Sequence, residues 1–116
     1  MEKTFTGIIY AEGGEAKIYT EPIDGEIIKI QIKNNHVNNE ETHLLIETIE
    51  GEKIVNRVIG NKDIVLKPKD FSVEEGEISL ANSIWSYFVS VGALYITLSN
   101  AGEEGTINNI IITWRR

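Results

Sequence analysis

From Glu26 to Lys33 the chain reads Glu-Ile-Ile-Lys-Ile-Gln-Ile-Lys, with Ile28, Ile30 and Ile32 on one side and Lys29, Gln31 and Lys33 on the other. Successive strand residues point to opposite faces, so a period of two with β-branched apolar positions specifies a strand with one dry and one wet side. Such a strand belongs to an antiparallel sheet whose dry face needs a covering layer. This constraint organises everything else in the chain.

The same signal recurs. Thr4 to Tyr10 and Ala16 to Thr20 read as strands, and Ala11-Glu12-Gly13-Gly14-Glu15 between them predicts a hairpin, because two glycines supply positive φ. Pro22 and Asp24-Gly25 punctuate the approach to the Ile-rich strand. A second hairpin is expected from His43 to Glu50, turning at Gly51-Glu52 and returning over Lys53 to Ile59. Gly60-Asn61-Lys62-Asp63 turns the chain before Ile64 to Leu66, which Pro68 stops. Ala93 to Ser99 buries Leu94, Ile96 and Leu98; Asn100 to Gly105 forms a loop; Thr106 to Trp114 puts Ile110, Ile112 and Trp114 on one face. About eight short strands and no capped amphipathic helix predict an all-β fold: a single antiparallel β-sandwich, jelly-roll or Ig-like, over residues 1–116.

One stretch admits three readings. Ile78 to Gly102 contains no charged residue and is long enough for a membrane span. Ser79, Asn82, Ser83, Ser86, Ser90, Thr97, Ser99 and Asn100 interrupt it throughout, which argues against a span. Ser79, Ser83, Ser86 and Ser90 recur at helical spacing, whereas Trp85, Tyr87, Val89 and Val91 alternate as in a strand. Aromatic and β-branched enrichment decides for a strand over Ile84 to Val91.

Charge and cysteine content exclude some functions. With 11 basic and 18 acidic side chains among 116 residues the net charge is −7. Nucleic-acid recognition usually shows as a basic stripe, so no nucleic-acid partner is expected. The acids gather in turns: Glu12 and Glu15, Glu40 and Glu41, Glu74, Glu75 and Glu77, Glu103 and Glu104. There is no cysteine, hence no disulfide framework. Met1-Glu2-Lys3-Thr4-Phe5-Thr6-Gly7 lacks the basic start and apolar run of a secretory signal, so synthesis in a cytoplasm is the expectation.

Catalytic constellations are sparse. His36 and His43 flank Glu40 and Glu41 in the Asn-rich Asn34 to Thr42 loop, yet their spacing fits no zinc signature and no D-x-D-x-D-G calcium pattern. Adjacent carboxylates such as Glu74/Glu75 point to opposite faces of a strand and do not bracket a scissile bond. Nucleophile-elbow and phosphate-loop spacings are missing. The reading is of no enzyme and no cofactor. Aromatic rings leave a binding option: Trp85 and Trp114 sit among Ile and Val and read as core, whereas Tyr19 and Tyr95 oppose the apolar faces of their strands and read as surface.

Taken together, three features are informative. They are the N-terminal hairpin leading through Tyr19-Thr20-Glu21-Pro22-Ile23-Asp24-Gly25 into the Ile-rich strand, the hairpin around Gly51, and the C-terminal pair from Val91 to Gly102 and Gly105 to Trp114. This pattern of strands and turns resembles the small β-sandwich structural proteins of tailed phages and archaeal viruses. The resemblance implies a non-enzymatic virion component, such as a capsid decoration or head-tail protein, acting through protein-protein contacts. Its partners would be further subunits, as a homo-oligomer or in a capsid lattice. The residues expected at contacts are Tyr19, His36, Val37 and Tyr95, together with the Asn34 to Thr42 loop and the N-terminal strand. The alternative is a carbohydrate-binding module using Tyr19, Tyr95 and Trp85, which requires two coplanar exposed rings. An enzymatic reading would require a pocket with converging polar groups.

Overall fold

Alternating sequence becomes nine strands in the computed structural model, which describes residues 2–11, 14–34, 40–68, 89–101 and 106–115. They are β1 (Glu2–Ala11), β2 (Ala16–Tyr19), β3 (Ile23–Asn34), β4 (His43–Thr48), β5 (Lys53–Val58), β6 (Ile64–Leu66), β7 (Val89–Gly92), β8 (Leu94–Ser99) and β9 (Thr106–Arg115). Every pairing is antiparallel. The first sheet runs β1-β9-β3-β6, with β7 also paired to β3, and the second runs β2-β8-β4-β5.

This order is a nested hairpin. β4 pairs with β5 at the centre, then β3 with β6, β2 with β8 and β1 with β9. A long two-arm ribbon turned at residues 49–52 and rolled into two layers has these pairings, and it is the jelly roll among the sandwiches expected. β7 is an addition to the return arm; it lies beyond β6 along β3, on the side away from β9.

The core follows from the dry faces meeting between the sheets. Ile9, Ile23, Ile30, Ile32, Leu66, Ile110, Ile112 and Trp114 come from the first sheet; Leu44, Ile46, Leu94, Ile96 and Leu98 come from the second. Each fully buried side chain of this size contributes about 1.5–3 kcal/mol. With no cysteine, this packing replaces covalent staples.

Two expectations need correction. β1 and β2 do not form a hairpin: β1 pairs along ten residues with β9, and β2 pairs with β8 in the other sheet. The Gly-rich turn fixes a reversal of direction but not a partner. Crossing to the opposite layer stacks Phe5 and Ile9 of β1 and Ala16 and Ile18 of β2 on one core, which side-by-side pairing would not do. The turn is tied instead to the end of β8, where the Ala101 N–H donates to the Gly14 carbonyl at 3.0 Å.

The second correction concerns β3. Its pairing with β9 slips between Ile27 and Lys29, so Ile28 has no partner opposite it. One extra residue reverses the inside-outside phase of a strand. Ile23 and Ile27 therefore point inward before the bulge, and Ile30 and Ile32 after it, while Ile28 is only partly buried. Of the strand expected over Ile84 to Val91, residues 89–91 are described and lie in β7, which runs one residue further, to Gly92; the remainder lies outside the described residues.

Candidate functional site

Three surface features stand out among the described residues. The first is aromatic and lies on the wet face of the second sheet. Alternation turns Ile18 inward and leaves Lys17 and Tyr19 exposed on β2, while Leu94, Ile96 and Leu98 fill the core side of β8 and leave Tyr95 outside. Register then places Tyr19 directly opposite Tyr95. Their ring centroids are 4.7 Å apart at an interplanar angle of 82°, an edge-to-face contact. The Lys17 ammonium stands 5.4 Å from the Tyr95 ring centroid, within cation–π range. Register continues the row through Glu47 on β4 to Lys53 on β5, so aromatic and charged groups cross all four strands.

Tyr19 is 60% exposed and Tyr95 half-buried, each on the face that alternation assigns. Sequence reasoning placed both outside but had no means of pairing them. Their perpendicular planes do not make the flat two-ring platform that a carbohydrate-binding reading requires. Trp114, at 4% exposure, belongs to the core, and Trp85 lies outside the described residues. His36 and Val37 also lie outside them; His43 is half-buried at the start of β4.

The second feature is an open cleft of about 370 Å3 at the end of the sandwich where β1 begins, lined by Lys3, Thr4, Glu21, Pro22, Asp24 and Trp114. Lys3 pairs with Trp114 across β1 and β9, and Trp114 pairs with Ile27 on β3, so the three lie on one face at this end of the first sheet. The lining mixes one cation with two acids and holds neither histidine nor a thiol. No group of three or more metal-type ligands converges among the described residues. No helix among them is long and apolar enough to cross a membrane.

The third feature was visible in the sequence only as a strand. β1 ends the first sheet, and no described strand pairs with its outer side. Phe5 and Ile9 point toward the core, which leaves Ile8 and Tyr10 on the wet face at 66% and 54% exposure. Gly7 is on the core side. A β-carbon there would lie 2.8 Å from Phe5 Cζ and 2.9 Å from Ile18 Cδ1, so the glycine admits the Phe5 ring and the neighbouring β2 strand. An open ladder with adjacent exposed apolar side chains is the arrangement natural sheets ordinarily avoid.

No family model and no curated protein matches the chain. Among solved structures it is similar to a crystal structure of FlhE, at 10% identity, covering 99% of this chain and 98% of that one with a TM-score of 0.51. That likeness shows the fold alone. Chains from structures of infectious bursal disease virus also align: the Gx strain at 12% identity and TM-score 0.33 over 31% of that chain, and the Gt strain at 8% and 0.24 over 39%. These viral chains carry no argument at that similarity, and this virus is neither a tailed phage nor an archaeal virus.

Proposed function

We propose that this protein is a non-enzymatic structural protein that works by assembling with other protein subunits, foremost copies of itself. The observation that carries this reading is the outer edge of β1, a ten-residue strand to which no described strand pairs on that side, with Ile8 and Tyr10 exposed beside it. Unpaired strand backbone is a template for another chain, and exposed apolar side chains next to it add area to bury. A second supporting feature is the Tyr19, Tyr95 and Lys17 cluster, since aromatic residues are enriched at protein interfaces.

The finer reading is a virion component. It rests on the resemblance of the strand pattern to viral sandwich proteins and, by analogy of fold only, on the use of jelly rolls in capsids. The acidic loops then serve solubility between contacts and not ligand capture.

Sedimentation velocity over a wide concentration range tests the assembly reading. The expected result is a species heavier than the 13.0 kDa chain that grows with concentration. A monomer at every concentration, with no association to any protein lattice, contradicts it.

A further inference from the structure

We propose that β1 is a self-recognition edge: two copies of this chain pair their β1 strands antiparallel about a two-fold axis through Thr6, so that their first sheets join across the dimer. This rests on the assembly reading above and names the contact through which it works.

Comparison of the sheet edges singles out β1. β2, β6 and β7 are edges of four, three and four residues, too short for an extended ladder. β6 is also bracketed by exposed Lys62, Asp63 and Lys67. β5 carries a bulge opposite Ile46 and Glu47, and it sets Arg57 in register with fully buried Leu44, a charge on the core side of the edge. Short strands, bulges and inward charges are the devices that block edge pairing. β1 has ten residues, a continuous register and no bulge.

Charge then selects the occupant. Each copy carries −7, so any interface between copies has to avoid the acidic loops. Within β1 the single acid, Glu2, is adjacent to the single base, Lys3, and Thr4 to Ala11 carries no charge. Along this strand two acidic copies approach without opposing like charges, and an uncharged strand suits a second uncharged strand.

Complementarity fixes the axis. A two-fold interface is isologous, so the strand must fit itself. With the axis at Thr6, Thr6 meets Thr6, Thr4 of one copy meets Ile8 of the other, and Glu2 meets Tyr10, all on the wet face. On the core side Phe5 of one copy meets Gly7 of the other. The space over each Gly7 is taken by the Phe5 ring and Ile18 of its own chain, so no side chain of the partner has to enter it. Moving the axis to Gly7 instead opposes two glycines and gives up the Thr6 pair, whose hydroxyls can hydrogen-bond across strands. Ile8, the most exposed large apolar residue of the described chain, is covered in the Thr6-centred pairing.

Because the chain has no cysteine, single cysteines test the register cleanly. Thr6→Cys places two thiols at the axis, and mild oxidation is expected to convert most of the chain to a covalent dimer. Thr4→Cys and Ile8→Cys alone are expected to stay largely monomeric, whereas an equimolar mixture of the two cross-links. Ile8→Lys, a substitution at an exposed site, is expected to return the oligomer to monomer with an unchanged circular dichroism spectrum. A folded Thr6→Cys chain that fails to cross-link overturns the axis. An oligomer that Ile8→Lys leaves intact overturns the edge itself while the assembly reading stands. A wild-type chain that never associates removes that reading too.

Discussion

Thr20 and Leu94 hold each other by two hydrogen bonds: the Thr20 N–H donates to the Leu94 carbonyl at 3.0 Å, and the Leu94 N–H donates to Thr20 Oγ1 at 2.8 Å. The hydroxyl in turn donates to the Glu21 carbonyl at 2.6 Å. Thr20 thus adds a rung beyond the end of β2, partly made by its side chain, at the start of β8. Thr20→Val keeps the shape and removes the hydroxyl, leaving the buried Leu94 N–H without its acceptor. The expected loss is about 1–3 kcal/mol, read as a lower urea midpoint with an unchanged slope.

The bulge in β3 makes a sharper test. Ile27 is fully buried opposite Trp114, and Ile28 lies in the slip where no partner faces it. Ile27→Ala is expected to cost about 2–5 kcal/mol, and Ile28→Ala distinctly less. Equal losses, or the reverse order, would mean that the strand runs in phase without a bulge. Equilibrium denaturation of the two variants decides.

At the central hairpin, the Gly51 N–H donates to the Thr48 carbonyl at 2.9 Å, and Gly51 has φ of +90° with open space where a β-carbon would go. Steric crowding is therefore absent, and backbone strain alone sets the effect of a side chain there. Gly51→Ala is expected to destabilise by about 1–2 kcal/mol, whereas Gly51→Asn, which tolerates positive φ better, loses less. Thermal unfolding reads this as a drop of several degrees for the alanine variant.

Arg115 and Glu26 form an exposed ion pair at 3.2 Å. Both side chains remain in contact with water, so Glu26→Gln is expected to change stability by no more than about 1 kcal/mol. The small difference should shrink further in high salt.

The legible part of this fold is the part carried by local periodicity. Ile110, Ile112 and Trp114, or Leu94, Ile96 and Leu98, reveal their buried face because a strand imposes a period of two without reference to its partner. The hairpin at Gly51 was legible for the same reason, since its strands are adjacent in sequence. Ile27 was not, because a bulge is a mismatch between two strands and the second, β9, lies more than eighty residues further on. The partner of β1 is hidden likewise: glycines mark where a chain turns, while the ten-residue match to β9 is a property of distant segments. Tyr19 and Tyr95 could be assigned to the surface separately, but their contact depends on the register of β2 against β8.

Amide hydrogen exchange measured at low and high protein concentration tests the central claim most directly. Edge pairing converts the outer β1 amides, to which no described strand pairs, into ladder partners, and slower exchange reports this conversion. The account predicts added protection over Thr4 to Tyr10 as concentration rises, with β2 and β5 unchanged. Protection that rises at β5, or nowhere, while the chain demonstrably associates would contradict it.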